Sequence, residues 1–238
     1  MNFFKKKNNR QLLIIEQNGV IMIKNYGYGD DFVSINENDS RVRRTKKLIR
    51  QGLVELAKTK SVNKITVKEL TDRVEINRGT FYLHYKDVYD LVDSIENELY
   101  DSFNAVISSI TSEQVLKSPI DVCELFCNHF YEQIDAYSML LGQHGDAQFA
   151  YKIGELFNVK VIEIFNEIFP NMDKAKYDFA YNYSKFGLVG LVTCWFTEHP
   201  DWAPRQVAEM WFNITMLGLW GILGEEGKEV LLNAHNSN

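Results

Sequence analysis

The chain has 238 residues and 45 % hydrophobic content, enough to bury one or two cores, and no stretch reaches the ~18–20 apolar residues that a bilayer span needs. The formal charge of −6 is divided unevenly. Residues 40–86 hold 13 Lys and Arg against 4 Asp and Glu (+9), residues 1–39 hold 5 of each, and residues 87–238 hold 8 against 23 (−15), so a basic module that could meet an anion is joined to an acidic body.

Residues 1–39 form an N-terminal extension with one clear local signal. Leu12–Ile15 and Val20–Ile23 are apolar runs flanking Glu16–Gly19, and an Asn-Gly pair between such runs predicts a hairpin. A lone two-stranded hairpin is marginal in water, so this extension is expected to be docked or disordered. Lys5, Lys6 and Lys7 precede only Leu12–Ile15 as an apolar run, too short for a secretory segment, and three cysteines do not read as a disulfide framework. Both observations point to the cytoplasm.

Ser40 precedes "RVRRTKKLIRQGLVELAKTK", where Val42, Leu48, Ile49, Leu53, Leu56 and Ala57 recur at helical spacing among Arg and Lys. Thr66 and Glu69 make a capping box for a two-turn helix ending at Arg73, and Asn77 caps a third from Arg78 to about Tyr85. Asp87 opens a long fourth helix whose inner stripe is Val88, Leu91, Val92, Ile95, Leu99 and Phe103. Further helices are predicted over about 119–141, 146–169, 173–198 and 204–223, separated by segments rich in Pro, Gly and Asp. No alternating β pattern follows residue 40, and the fold class is all-α.

Short helix, tight turn and second short helix packed on a first helix is an arrangement that pushes one helix into the major groove of DNA. The stretch "ITVKELTDRVEINRGTFYLHYKDVYDL" resembles the helix-turn-helix of the TetR family of transcriptional regulators. That resemblance implies DNA contacts from Arg78, Gly79, Thr80 and Tyr82 on the recognition helix, His84 and Lys86 just after it, Thr66 at the second helix, and Arg43, Arg44 and Thr45 at the first. Residues 40–86 would be the DNA-binding domain and 87–238 a helical domain for effector binding and dimerisation. Thr71 and Val74 stand where the family usually has alanine, and Glu75 where it often has the turn glycine. A non-glycine residue at a left-handed position costs about 1 kcal/mol.

In the acidic body, "FGLVGLVTCWF" from Phe186 is apolar on all faces and calls for cover on two sides. Gly187, Gly190, Trp195, Trp211, Gly218 and Trp220 are the expected dimer interface, by a four-helix bundle with two helices from each chain. Aromatic and polar residues that could face an effector are Phe103, Phe126, Phe130, Tyr131, His144 and Tyr181, against the plainer reading that they are core. Cys123 and Cys127 lie one helical turn apart with His129 behind them; they lack further metal ligands and read as buried thiols, with a helical enzyme as the rival reading. The expectation is therefore a homodimeric regulator, a repressor on a palindromic double-stranded operator controlled by a small-molecule effector, with no metal, cofactor or membrane partner. The alternative is a co-regulator of the same fold that acts through a protein partner without reading DNA.

Overall fold

A computed structural model describes residues 2–7, 10–17, 20–25, 32–36, 40–142, 145–170 and 173–215, with the backbone alone in the strands and at Tyr177 and Tyr181. The chain divides into two compact units, Met1–Glu55 with Thr66–Tyr85, and Leu56–Ile65 with Lys86–Asn238.

The extension is an antiparallel meander. Strands β1 (Asn2–Lys7), β2 (Arg10–Gln17), β3 (Val20–Asn25) and β4 (Phe32–Asn36) pair in chain order. The expected hairpin is β2–β3, with Ile14 opposite Ile23 and Gln17 opposite Val20, so that two residues connect the strands. Strands β1 and β4 extend it on both sides, which gives the pair the additional ladders that an isolated hairpin lacks. From residue 40 onward the described chain is helical, as its periodicity predicts.

In the first unit α1 runs Ser40–Ala57, α2 Val67–Arg73 and α3 Arg78–Tyr82. Helices of seven and five residues are far below the length at which a helix is stable alone, so caps and burial must hold them. Thr66 and Glu69 make the reciprocal capping box, and Asn77 Oδ1 accepts from the Gly79 N–H at 2.8 Å. Ile49, Leu53, Leu70 and Phe81 are completely buried. A Cβ at Gly52 would overlap Val74 Cγ1 and come within 3.1 Å of Leu70 Cδ1, so α2 approaches α1 to a distance that only glycine permits. The larger Val74 is thus accommodated by Gly52 opposite it. Thr71 is buried too, and its hydroxyl donates back to the carbonyls of Val67 (2.8 Å) and Lys68 (3.1 Å).

The turn after α2 closes with Ile76 N–H donating to Thr71 O at 3.1 Å, and Glu75 between them has φ 55°. This is the left-handed helix terminus that usually takes glycine, as the sequence implies.

The second unit holds α4 (Val88–Ser108), α5 (Ser112–Lys117), α6 (Pro119–Glu132), α7 (Ile134–Leu141), α8 (Ala147–Ile168), α9 (Lys174–Glu198) and α10 over 204–215. Helix α5 is absent from the sequence reading, and the span 119–141 is two helices broken at Gln133. The side chain of Gln133 donates to Ser102 Oγ on α4 at 3.2 Å. Asp87, Asp146 and Asp173 cap α4, α8 and α9. Phe103, Phe130 and Tyr137 pack ring against ring, with centroids 4.9 Å apart for Phe103–Phe130 and 4.8 Å for Phe130–Tyr137. Helices α8 and α9 meet at Gly154, where a Cβ would lie 3.1 Å from Lys185 Cγ. Buried Lys185 pairs with Glu155 and holds its ammonium 3.6 Å from the centre of the Tyr151 ring.

Two stability outcomes follow from the first unit. In an open helix Gly→Ala stabilises by roughly 1 kcal/mol. Gly52→Ala should instead destabilise by about 1–3 kcal/mol through overpacking, and Val74→Ala in the same chain should recover part of that loss; urea unfolding of the two single variants and the double variant measures the coupling. Glu75→Gly should raise stability by up to about 1 kcal/mol in the same assay, because the left-handed backbone no longer carries a side chain.

Candidate functional site

Two regions concentrate the residues singled out above. The first is the face presented by α3 and the start of α1. Arg43, Arg44, Arg78 and Gly79 are exposed, Thr45 and Thr80 are half-buried, and Tyr82 is 50 % exposed. Phe81 between them is fully buried, with Tyr85 against its ring at 5.8 Å. One turn of α3 therefore anchors through Phe81 and turns Tyr82 outward. Thr45 donates its hydroxyl to Arg41 O at 2.9 Å, leaving lone pairs but no free proton for another partner. Thr66 accepts from the Glu69 N–H at 3.2 Å and donates to the Glu69 carboxylate at 2.8 Å, so its side chain is occupied by the capping box. A Cβ at Gly79 would lie 3.3 Å from Asn77 Oδ1, so a side chain there would crowd the cap of α3. His84 is half-buried. Lys86, in the second unit, is exposed and pairs with Asp90 at 3.5 Å.

The second region is a cavity of about 520 Å³ in the body, walled by α6, α8, α9 and α10 with Ile110 and Val115 beside them. Its lining is aliphatic and aromatic: Phe126, Phe157, Ile164, Leu188, Trp195, Trp202 and Trp211 among others. Among the described residues, Lys160 and His199 are its basic side chains and no Asp or Glu lines it. The Lys160 side chain is 16 % exposed and its ammonium meets Glu163, which lies toward solvent, at 2.7 Å.

Of the effector candidates, Phe126 lines this cavity. Phe103 and Phe130 lie in the buried cluster on α4 and α6, and Tyr131 stacks on Trp195 with centroids 5.8 Å apart. His144 and the Tyr181 side chain fall outside the described residues, although Tyr183 and Ser184, next on α9, line the cavity. Of the interface candidates, Gly187, Gly190, Trp195 and Trp211 all line it as well, while Gly218 and Trp220 fall outside the described residues. Trp195 is buried within its own chain, its indole N–H donating to Trp202 O at 3.0 Å, and Trp211 packs on Phe126 and Phe157. Among the described residues, a Cβ at Gly187 or Gly190 would meet nothing within 4 Å. The outward apolar face of α9 carries Phe179, 77 % exposed, and Phe186, 63 % exposed, and α10 exposes Met210 and Ile214.

Sequence reasoning missed Lys160. Its signal is a lysine set among Phe157, Val161 and Ile164 at helical spacing, a cation on an apolar stripe. Cys123 lines the cavity and Cys127 is buried; burial pushes both thiols up to about 12, which keeps them neutral. His129 lies within hydrogen-bonding distance of the Tyr137 hydroxyl, 2.9 Å away, and burial lowers its pKa. No helix among the described residues is long and apolar enough to cross a membrane.

Residues 117–217 match the family model of the TetR-type transcriptional regulator C-terminal region. A curated relative, the uncharacterized HTH-type transcriptional regulator YxbF of Bacillus subtilis, is 22 % identical over 59 residues, a match that spans 25 % of this chain and 16 % of that protein. The fold is that of NalD, the secondary repressor of the MexAB-OprM multidrug efflux pump in Pseudomonas aeruginosa, at TM-score 0.54 and 16 % identity over 76 % of this chain and 98 % of the other. It is also that of a transcriptional regulator from Aquifex aeolicus VF5, at TM-score 0.53 and 16 % identity over 73 % and 98 % of the two chains. In its C-terminal region and in its fold the chain is therefore similar to transcriptional regulators of the TetR type.

Proposed function

We propose that the chain is a homodimeric repressor that reads a palindromic operator through α3 and releases it when a small molecule occupies the body. The observation that carries this reading is the outward face of α3, with Arg78, Thr80 and Tyr82 set beside a fully buried Phe81 in a module of charge +9. Arg78 can take a guanine in bidentate fashion, Thr80 offers a hydroxyl and a methyl, and Tyr82 can donate to a phosphate. Arg43 and Arg44 supply phosphate charge from α1. Each recognition helix contacts few base pairs, so selectivity calls for two of them at a fixed separation.

Dimerisation is assigned to α9 and α10. Phe179 and Phe186, with Met210 and Ile214, expose more apolar surface on two helices than a solvated face calls for, and an isologous bundle would bury it. Effector control rests on the cavity, whose volume lies in the range that holds one small organic molecule. Glu75 favours the second reading, a co-regulator that meets a protein instead of DNA, because it is an exposed negative charge at the turn before α3.

Thr80→Ala and Tyr82→Ala should each weaken binding to a selected operator fragment by about 1–3 kcal/mol with circular dichroism and melting unchanged. Undiminished binding by both variants would put DNA reading on another surface, and failure to select any fragment above bulk DNA would favour the co-regulator. For the dimer, the pair Phe179→Glu and Phe186→Glu should sediment as monomer and lose operator affinity although the basic module is untouched. A tight dimer in that variant would put the interface elsewhere.

A further inference from the structure

We infer that the body cavity takes an anionic amphiphile, an aliphatic or aromatic carboxylate whose apolar part fills the space between α6, α8, α9 and α10 and whose carboxylate reaches Lys160. The inference rests on the effector reading above and names the chemistry of the ligand.

Charge separates this cavity from the protein around it. Residues 87–238 hold 8 Lys and Arg against 23 Asp and Glu, yet among the described residues no carboxylate lines the cavity and Lys160 does. Among the described lining residues a cationic ligand would meet no carboxylate, and a polar neutral one would find few partners among Phe126, Phe157, Leu188, Trp195 and Trp211. An amphiphilic anion meets both demands. Its chain replaces water on apolar walls, and its headgroup meets a lysine already largely withdrawn from solvent. The present partner of Lys160 does not block this. Glu163 is more than half exposed, and an ammonium has three donors, so the lysine can keep Glu163 and accept a second carboxylate. Gly187 and Gly190 contribute to the same fit, since both line the cavity and no described atom lies where their side chains would stand.

Trp195, Trp202 and Trp211 all line the cavity, so tryptophan emission of the full-length protein reports occupancy directly. Decanoate, decan-1-ol and decyltrimethylammonium, each titrated below its micellar concentration, carry similar chains with different heads. Decanoate should change the emission saturably, and the ammonium should not. Lys160→Met should weaken decanoate by about tenfold or more and leave decan-1-ol within about twofold, with the melting temperature unchanged. Unchanged decanoate binding in Lys160→Met, equal binding of the ammonium, or no saturable binding by any probe would each overturn the inference. So would decanoate converting dimer to monomer in sedimentation, which would mean that a second copy of the chain fills the cavity. Operator affinity in the same solutions separates this from effector control. Lys160-dependent decanoate binding without any change in DNA affinity keeps the ligand class and removes the effector reading. Release of DNA by the alcohol or the ammonium in preference to decanoate does the reverse.

Discussion

The close approach of α2 to α1 over Gly52 is the contact on which the first unit depends. Helices of seven and five residues cannot hold themselves, and what they lack in length is supplied by burial of Leu70 and Phe81 and by caps at Thr66 and Asn77. Gly52 sets how near α2 can come, and Val74 fills the space that the glycine opens. A substitution that looks disruptive in sequence, valine for the usual alanine, is therefore answered by a glycine more than twenty residues earlier. The same logic covers Thr71, whose buried hydroxyl is satisfied by its own helix. With its interior fixed in this way, α3 can present Arg78 and Tyr82 outward at little cost to the fold.

The body solves a different problem. Its surface is strongly acidic while its interior holds two apolar regions of different character. One is the packed ring cluster of Phe103, Phe130 and Tyr137; the other is the cavity, where rings from four helices leave a volume unfilled. The space opens to solvent on part of its boundary, and its size and apolar lining are those of a small-molecule site. Gly154 and buried Lys185 hold α8 to α9 close by, giving one wall of the cavity a rigid seam.

Local signals were legible in the sequence and distant ones were not. The capping boxes and Asp caps act over two or three residues, so Thr66, Asn77, Asp87, Asp146 and Asp173 mark helix starts that the structure contains. The left-handed Glu75 was equally local. Thr111 and Gln114 form a capping box of the same kind and open α5, so that helix could have been found by the same rule. The break at Gln133 could not, because no Pro or Gly marks it and its side chain answers to Ser102 on α4. The glycines of α9 show the limit most clearly. Their spacing says that something lies close or that space is left open, and only the folded chain shows that Gly187 and Gly190 line a cavity. The outer strands β1 and β4 were missed for a related reason, since their pairing with β2 and β3 is set by neighbours and not by their own pattern.

In the proposed mode of action two copies of α3 read two halves of one DNA site. It is tested most directly by selecting fragments of genomic DNA bound by the purified full-length protein and footprinting the winners. Enrichment of a sequence with two-fold symmetry, protected over two half-sites about one helical turn apart, is expected. Protection of a single asymmetric half-site, or no enrichment above bulk DNA at moderate salt, would contradict it.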